Sequence, residues 1–223
     1  MKKALTMALA VALAGGSVMA QAYEKGDWIV RAGAATVDPD TDSDVIDESI
    51  PYKVDVDDDT QLSIIPLYMV TEKWAVEVLA STPFEHDINI DNTSVAAGST
   101  KHLPPTVSVQ WYPRGGKKGW QPYIGAGVNY TAFFDEEADN QLIDFLGVDD
   151  ADLSLDDSFG LAAQAGVDIP FGEHWAVNLA VWYIDIDTQA EVNAKVAGES
   201  VAKVKFDVEL DPWVYNVGIA YKF

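Results

Sequence analysis

The chain contains no cysteine, only three histidines and few basic residues. The lack of cysteine excludes a disulfide framework and thiol chemistry. The histidines, His86, His102 and His174, leave little material for a metal centre or a catalytic triad. With 14 Lys+Arg against 36 Asp+Glu, the formal net charge is −22. Nucleic acid is therefore not an expected partner, because phosphate binding requires clustered Lys and Arg.

Beyond its N-terminus the sequence also lacks any continuous apolar run of the roughly 20 residues that a membrane-spanning helix requires. Hydrophobic residues nevertheless make up 48% of the chain. A membrane role therefore requires that these residues alternate along strands, as they do in a β-barrel.

The first 22 residues are typical of a secretory signal peptide. Lys2 and Lys3 precede an apolar run of small residues, ALTMALAVALAGG. The AQA stretch ending at Ala22 fits a signal-peptidase site, and cleavage after Ala20 is a close second. We expect residues 1–22 to direct export and residues 23–223 to form one domain.

Eight segments of the mature chain alternate between large apolar and small or polar residues, each near the roughly ten residues that cross a bilayer at a tilt. They cover residues 27–37, 61–70, 74–82, 106–112, 121–134, 158–169, 174–184 and 210–223. Trp and Tyr concentrate near the segment ends, where aromatic girdles lie. The pattern predicts an all-β fold, an eight-stranded antiparallel transmembrane β-barrel of the bacterial outer membrane.

The connections between these segments alternate in length. Short turns are predicted at residues 71–73, 113–120 and 170–174, and long extracellular loops at residues 38–60, 83–105, 135–157 and 185–209. Tight turns on one side and long loops on the other are typical of an outer-membrane barrel with both termini in the periplasm.

Several long stretches resemble a known family. They are YMVTEKWAVEVLASTPFEHDI, KHLPPTVSVQWYP, PYIGAGVNYTAFFD, LSLDDSFGLAAQAGVD, VWYIDIDT and DPWVYNVGIAYKF. Through them nearly all of the mature chain resembles the outer membrane protein W (OmpW) family. The resemblance implies a monomeric Gram-negative outer-membrane barrel that takes up small hydrophobic molecules, sits among outer-membrane lipid and lipopolysaccharide, and presents a terminal Phe to the barrel assembly machinery.

Strand direction places a set of inward polar residues in the periplasmic half of the predicted barrel. They are Arg31, Glu77, Asp168 and Lys222, with Gln110 and Gln164. The two acids and two bases should pair, because an unpaired buried charge is costly. Since side chains nearly fill an eight-stranded barrel, we predict a polar plug; a purely stabilising network is the compatible alternative.

The outer half of the predicted lumen is apolar instead. Its inward residues are Ile65, Leu67, Leu79, Phe133 and Trp182. We predict an apolar pocket above the charged floor. The family resemblance implies a hydrophobic gate, with Leu79 and Trp182 on the matching positions. The alternative is that these side chains only fill the core of a small barrel.

A solute in such a pocket could not cross a charged floor, so a sideways exit is expected. Prolines mark neighbouring strands: Pro66, Pro83, Pro104 and Pro105. Because proline removes a ladder donor, this cluster predicts weak pairing and a lateral opening into the outer membrane, a route that the family resemblance also implies. The alternative is that the prolines only shape the second long loop.

The long loops carry most of the acidic residues, for example DVDDD and DDADLSLDD. Solubilisation is one interpretation and divalent-cation binding at loops 38–60 and 135–157 is another, although EF-hand spacing is absent. A closed structural or receptor barrel, whose acidic loops bind ions or surfaces, is therefore the alternative function.

Enzyme activity is not predicted. His86 and His102 bracket the second long loop, but no nucleophile, base and orienting group follow from the spacing. A metal held by these two histidines would need a third ligand that the sequence does not indicate. No catalytic residue, cofactor or metal site is expected.

Overall fold

The computed structural model describes residues 22–46 and 50–223, so the predicted signal peptide lies outside it except for Ala22. The elements are β1 (Trp28–Asp38), β2 (Asp42–Ser43), β3 (Val54–Val56), β4 (Asp59–Met69), β5 (Trp74–Ser81), β6 (Phe84–Ile90), β7 (Ala96–Leu103), β8 (Thr106–Trp111), β9 (Gln121–Ala138), α1 (Asn140–Leu146), β10 (Asp150–Leu155), β11 (Ser158–Pro170), β12 (Trp175–Ile184), β13 (Asp187–Val196), β14 (Glu199–Glu209) and β15 (Trp213–Lys222). Among the described residues, no helix has the length and apolar character needed to cross a bilayer.

Eight of these strands close into an antiparallel barrel. Around the wall their order is β1, β4, β5, β8, β9, β11, β12 and β15, and β15 pairs with β1 to complete the ring. The predicted fold is confirmed. The strands begin and end within a few residues of the predicted segments, except that β9 continues outward to Ala138.

Alternation along the strands explains which side chains face lipid. On β11, Phe159 and Leu161 are 72% and 66% exposed, whereas Gln164 and Asp168 are buried. Successive side chains of a strand point to opposite faces, so one face of the wall is apolar and the other lines the interior. An apolar outer face is what a bilayer requires of a barrel.

The long connections fold into β-structure rather than irregular loops. The β6–β7 hairpin continues the barrel wall outward, with β3 on its far edge and the outer half of β9 beside β7. A separate sheet has the order β10, β13, β14 and β2. We call these strands, the outer end of β9 and α1 the outer extension.

Buried apolar residues form two clusters inside the molecule. The inner cluster lies at the end that carries the short turns and includes Tyr23, Leu67 and Met69. The outer cluster runs from Trp182 in the barrel to Phe206 in the outer extension. Most of the buried polar side chains described below lie at the level where these clusters meet.

Candidate transport site

A fully buried arginine organises the polar centre of the barrel. Arg31 on β1 donates from Nη1 to Glu77 Oε2 at 2.8 Å and from Nη2 to Asp168 Oδ2 at 2.7 Å. Its Nε also donates to Asp168 Oδ1 at 3.1 Å. The two-bond geometry with Asp168 suits the planar guanidinium. Because one cation holds two carboxylates, each charge in the group has a partner.

The two predicted glutamines complete the same network. Gln110 Nε2 donates to Glu77 Oε2 at 2.6 Å and to Gln164 Oε1 at 2.8 Å. Gln164 Nε2 in turn donates to the other carboxylate oxygen, Glu77 Oε1. The structure thus brings together five of the six residues predicted as a plug, which we call the polar plug.

The structure corrects the placement of Lys222. Its Nζ contacts Asp27 Oδ2 at 3.1 Å and the carbonyl oxygen of Ala22 at 3.1 Å, rather than the acids beside Arg31. In the β1–β15 register Lys222 stands opposite Ile29, nearer the rim than Arg31. The lysine therefore closes a separate ion pair at the periplasmic edge.

Three tyrosines of the plug were not predicted. Tyr112 accepts from Arg31 Nη2 at 2.8 Å, Tyr23 donates to Asp168 Oδ2 at 2.9 Å, and the guanidinium lies over the Tyr123 ring at 4.5 Å. Tyr112 continues the inward alternation of Gln110, so the period of two could have identified it. Tyr23 precedes the first strand, where no periodicity applies.

Asn178 extends the network around the barrel. Its Nδ2 donates to Asp168 Oδ1 at 2.8 Å, and its Oδ1 accepts from Asn216 at 3.2 Å. Asn216 accepts in turn from Ser63 at 2.6 Å. Every strand of a narrow barrel can reach this level, so the plug closes as a connected layer of hydrogen bonds.

The predicted gate residues divide between different places. Trp182 and Ile65 are fully buried and Leu79 is nearly so, and all three belong to the outer cluster. In the strand registers Ile65 stands opposite Arg31 and Trp182 opposite Gln164, so they border the plug. Phe133, another of the predicted gate residues, lines the cavity of the outer extension that is described next. Leu67 is a correction: it pairs with Glu77 and belongs to the inner cluster, because β4 descends past the plug before reaching it.

A cavity of about 220 Å³ lies in the outer extension. Its lining is almost entirely apolar and comes from both sheets and α1, including Val54, Ile88, Phe133, Leu142, Val192 and Phe206. This cavity lies farther out than the predicted lumen pocket, and of the five predicted gate residues Phe133 lines it. The sequence did not predict this cavity, because the segments that form its walls were predicted as loops.

Three of the four prolines flank an interruption in the barrel wall. The β5–β8 ladder ends at Leu79 opposite Thr106, and pairing resumes at Phe84 opposite His102, between β6 and β7. In this described part of the wall no ladder pair joins residues 80–83 to residues 103–105, the stretches that contain Pro83, Pro104 and Pro105. We call this interruption the wall break.

Pro66 lies on a neighbouring seam instead. The β4–β5 ladder passes from Ile64 opposite Ala80 directly to Leu67 opposite Glu77, leaving Ile65 and Pro66 without β5 partners. On its other side Pro66 pairs with Val30 of β1. Proline has no N–H to donate, which accounts for the missing rung, but the position is deeper than the wall break.

Two histidines stand beside the wall break and line the cavity. His86 Nδ1 lies 2.6 Å from the carbonyl oxygen of Asp57, and the Nε2 atoms of His86 and His102 are 3.0 Å apart. Burial lowers the pKa of His86, and burial together with the His86 ring lowers the pKa of His102 to about 3. Both rings are therefore neutral near pH 7.

The acidic connections form mostly exposed pairs. Lys53 contacts Asp42 at 2.6 Å, and Lys195 contacts Asp152 at 2.6 Å. Among the described residues, the carboxylates that approach closely enough for a shared cation are those of Asp185, Asp187 and Asp211. They belong to the fourth connection, not to the two loops where cation binding was considered.

A closed eight-stranded wall, an apolar outer face and a buried polar floor define a small outer-membrane β-barrel protein. The chain belongs to the OmpW family, which it matches over residues 24–223. It is 42% identical over 224 residues to outer membrane protein W of Escherichia coli strain K12, covering 100% of both chains. Identity to outer membrane protein W of Vibrio cholerae is 41% over 219 residues, covering 96% of this chain and 97% of that one.

The crystal structure of the outer membrane protein OprG from Pseudomonas aeruginosa is similar, with 43% identity and a TM-score of 0.82 over 92% of this chain and 99% of that one. The family predicted from the sequence motifs is thus confirmed, and the protein is located in a Gram-negative outer membrane. Family and fold are those of outer-membrane barrel proteins.

Proposed function

We propose that the protein is an outer-membrane channel for the passive uptake of small hydrophobic molecules. A solute binds in the cavity of the outer extension and leaves sideways through the wall break into the bilayer. The observation that carries the proposal is the position of the wall break, because His102, one of the two residues at its outer edge, also lines the cavity.

The contacts at this edge support the route. Phe84 and His102 form the first pair beyond the wall break. The His102 ring stacks on Phe133 with centroids 5.6 Å apart, and both residues line the cavity. A solute in the cavity is therefore separated from the bilayer by a seam without backbone hydrogen bonds. An apolar solute loses nothing by entering lipid, so the transfer needs no energy source.

The polar plug supports the same direction. Arg31, Glu77 and Asp168 are wholly buried and paired. An apolar solute passing downward would have to separate these charges, and an uncompensated buried charge costs several kcal/mol. The sideways path avoids that cost.

The experiment replaces the prolines of the wall break by strand-forming residues in the variant Pro83→Thr/Pro104→Val/Pro105→Thr. Uptake of a radiolabelled alkane into proteoliposomes should fall about tenfold, because new N–H donors let the seam close. The control is Pro113→Thr, in a short turn at the other end of the barrel. Unchanged uptake by a correctly folded triple variant would contradict the proposal.

A second function, a closed barrel whose acidic surface binds cations, draws support from the group of Asp185, Asp187 and Asp211. It predicts calcium binding without solute uptake. Calcium titration of the wild type and of Asp211→Asn, alongside the uptake assay, separates the two functions.

A further inference from the structure

Two neighbouring turns at the periplasmic end carry a positive charge that contrasts with the rest of the chain. The turn between β8 and β9 (residues 112–120) and the turn between β4 and β5 (residues 70–73) contain four basic residues and one acid, Glu72. The basic residues are Lys73, Arg114, Lys117 and Lys118. The whole chain has 14 basic against 36 acidic residues, so this is a local reversal of its charge.

The two turns pack against each other, which fixes where their charges lie. The backbone N–H of Tyr112 donates to the carbonyl oxygen of Lys73 at 2.8 Å. Gly115 approaches the other turn so closely that a Cβ there would lie 1.8 Å from the carbonyl oxygen of Glu72. Glycine permits such a close approach of two backbones. The lysines of both turns therefore belong to one ordered surface.

The arginine and the lysines of these turns differ in what they contact. The Arg114 guanidinium lies over the Trp120 ring at 5.3 Å, and its Nη2 donates to the carbonyl oxygen of Lys118 at 3.2 Å. Lys73, Lys117 and Lys118 are exposed, and none of the ion pairs among the described residues includes them. We call these three lysines the basic surface.

Tryptophans locate the basic surface relative to the bilayer. Trp74 stands opposite Trp111 in the β5–β8 ladder, and both are exposed on the lipid-facing side of the wall, while Trp120 is exposed at the start of β9. Tryptophan is enriched at the level of the lipid headgroups. Lys73 is one residue from Trp74, about 3.3 Å along a strand, and the headgroup layer is roughly 5–7 Å thick on each side. The lysine charges therefore lie at the level of the inner-leaflet phosphates.

We propose that the basic surface binds the headgroup of an anionic phospholipid in the inner leaflet, such as phosphatidylglycerol, with the acyl chains lying against the tryptophans. The charges are complementary, and lysines near an anionic lipid surface are attracted to it. The bound lipid holds the periplasmic end of an otherwise acidic protein in the membrane. The inference goes beyond the proposed function, because it involves neither the cavity nor the wall break.

A competition between two phospholipids tests the proposal. Wild-type protein is placed in micelles with equal amounts of phosphatidylglycerol and phosphatidylcholine that have identical acyl chains, and native mass spectrometry counts the lipids it retains. Both headgroups contain a phosphate, but only phosphatidylglycerol has a net charge. Wild type should retain phosphatidylglycerol about fivefold more, the effect of one lysine near an anionic surface. Equal retention of the two lipids would overturn the proposal.

Two triple variants assign the preference to one end of the barrel. Lys73→Gln/Lys117→Gln/Lys118→Gln should bring the ratio of the two lipids close to one. Lys195→Gln/Lys203→Gln/Lys205→Gln removes the same charge from the outer extension and should keep the wild-type ratio. Equal loss in both variants would show that total charge, rather than the basic surface, selects the lipid.

Other anions are distinguished by two further arms. Glycerol 3-phosphate, which lacks acyl chains, should displace phosphatidylglycerol no more than sulfate of equal ionic strength does. Specific displacement would assign the surface to soluble phosphates and overturn the lipid assignment. Co-sedimentation with purified peptidoglycan that the variant at residues 73, 117 and 118 loses would overturn it in favour of the cell wall.

A measurement on the wild type alone removes the dependence on a folded variant. The screening length falls from about 10 Å at 0.1 M salt to about 3 Å at 1 M, so the preference of exposed lysines should shrink severalfold over this range. A preference for phosphatidylglycerol that is undiminished at high salt would contradict binding through the basic surface.

Discussion

The polar plug and the cavity of the outer extension are both buried, but the plug is filled by hydrogen-bonded charged and polar groups and the cavity is open space between apolar ones. In the plug, Arg31 holds two carboxylates, and amides and phenols take up the remaining bonds. In the cavity, space is kept open between apolar side chains that supply few polar atoms. The plug is therefore a closed layer of paired charges, whereas the cavity offers space for a bound molecule.

The largest expected effect comes from opening the plug with Arg31→Met. Glu77 and Asp168 would then be buried without a cation, and breaking a buried ion pair from one side costs about 3–5 kcal/mol. The loss is measured by urea unfolding of the barrel in lipid, with the folded fraction read from its heat-dependent mobility on a gel.

Lys222→Met is the matched control for that variant. This pair lies at the rim, its two side chains are 10% and 17% exposed and it holds one carboxylate rather than two, so the loss should be smaller than that of Arg31→Met. Equal destabilisation by the two substitutions would show that the Arg31 network is not the floor described above.

The next effect in size concerns the passage above the plug. Leu79→Asp introduces an unpaired charge into the apolar layer that contains Trp182. Uptake of an alkane should fall more than about tenfold, because a desolvated charge repels an apolar solute and attracts water. Leu79→Met, which conserves volume, should retain most of the uptake; a similar loss in both variants would point to packing rather than polarity.

The smallest expected effect is a pH dependence of the stability of the β6–β7 hairpin, which forms part of the cavity wall. Because the folded-state pKa of His102 is about 3 and that of an unfolded histidine is about 6.5, only the unfolded state gains the proton between these values. The stability of the β6–β7 hairpin should therefore be constant above pH 6.5 and fall by up to about 1.4 kcal/mol per pH unit below it.

Hydrogen exchange of the β6 and β7 amides between pH 7 and pH 5 measures this dependence. His102→Phe should make the profile shallower, because only His86, whose pKa burial also lowers, then contributes to the slope, whereas His174→Phe should leave it unchanged. A wild-type profile without slope below pH 6.5 would mean that the histidine pair does not hold the hairpin in its neutral form.

The two regions also differ in how far the sequence predicts them. Arg31, Glu77 and Asp168 follow from a period of two plus strand direction, because a regular strand fixes both side and depth of each side chain. Tyr112 obeys the same period. For Leu67 and Lys222 the predicted inward direction is correct but the predicted depth along the barrel axis is wrong, because alternation does not fix how far one strand is shifted against the next.

The outer extension escaped prediction for a different reason. Its cavity is formed by residues such as Val192 and Phe206 on strands that are absent from the barrel pattern. Those two strands pair with each other as a hairpin, Ala190 opposite Phe206 and Val192 opposite Val204, but the sheet is completed by distant segments such as β2 beside β14, which a local pattern does not reveal.

The wall break, which links the two regions, is the feature on which the account depends. Because the chain contains no cysteine, the wall break can be closed reversibly with two introduced cysteines. In the variant Thr82→Cys/Leu103→Cys, a short thiol crosslinker with a reducible bond joins the two sides of the break. Leu179→Cys/Val217→Cys, an opposed pair on the continuous β12–β15 ladder, is the control. We predict that alkane uptake falls on crosslinking at residues 82 and 103 and returns on reduction, with no change in the control. Uptake that continues through the crosslinked wall would contradict lateral exit.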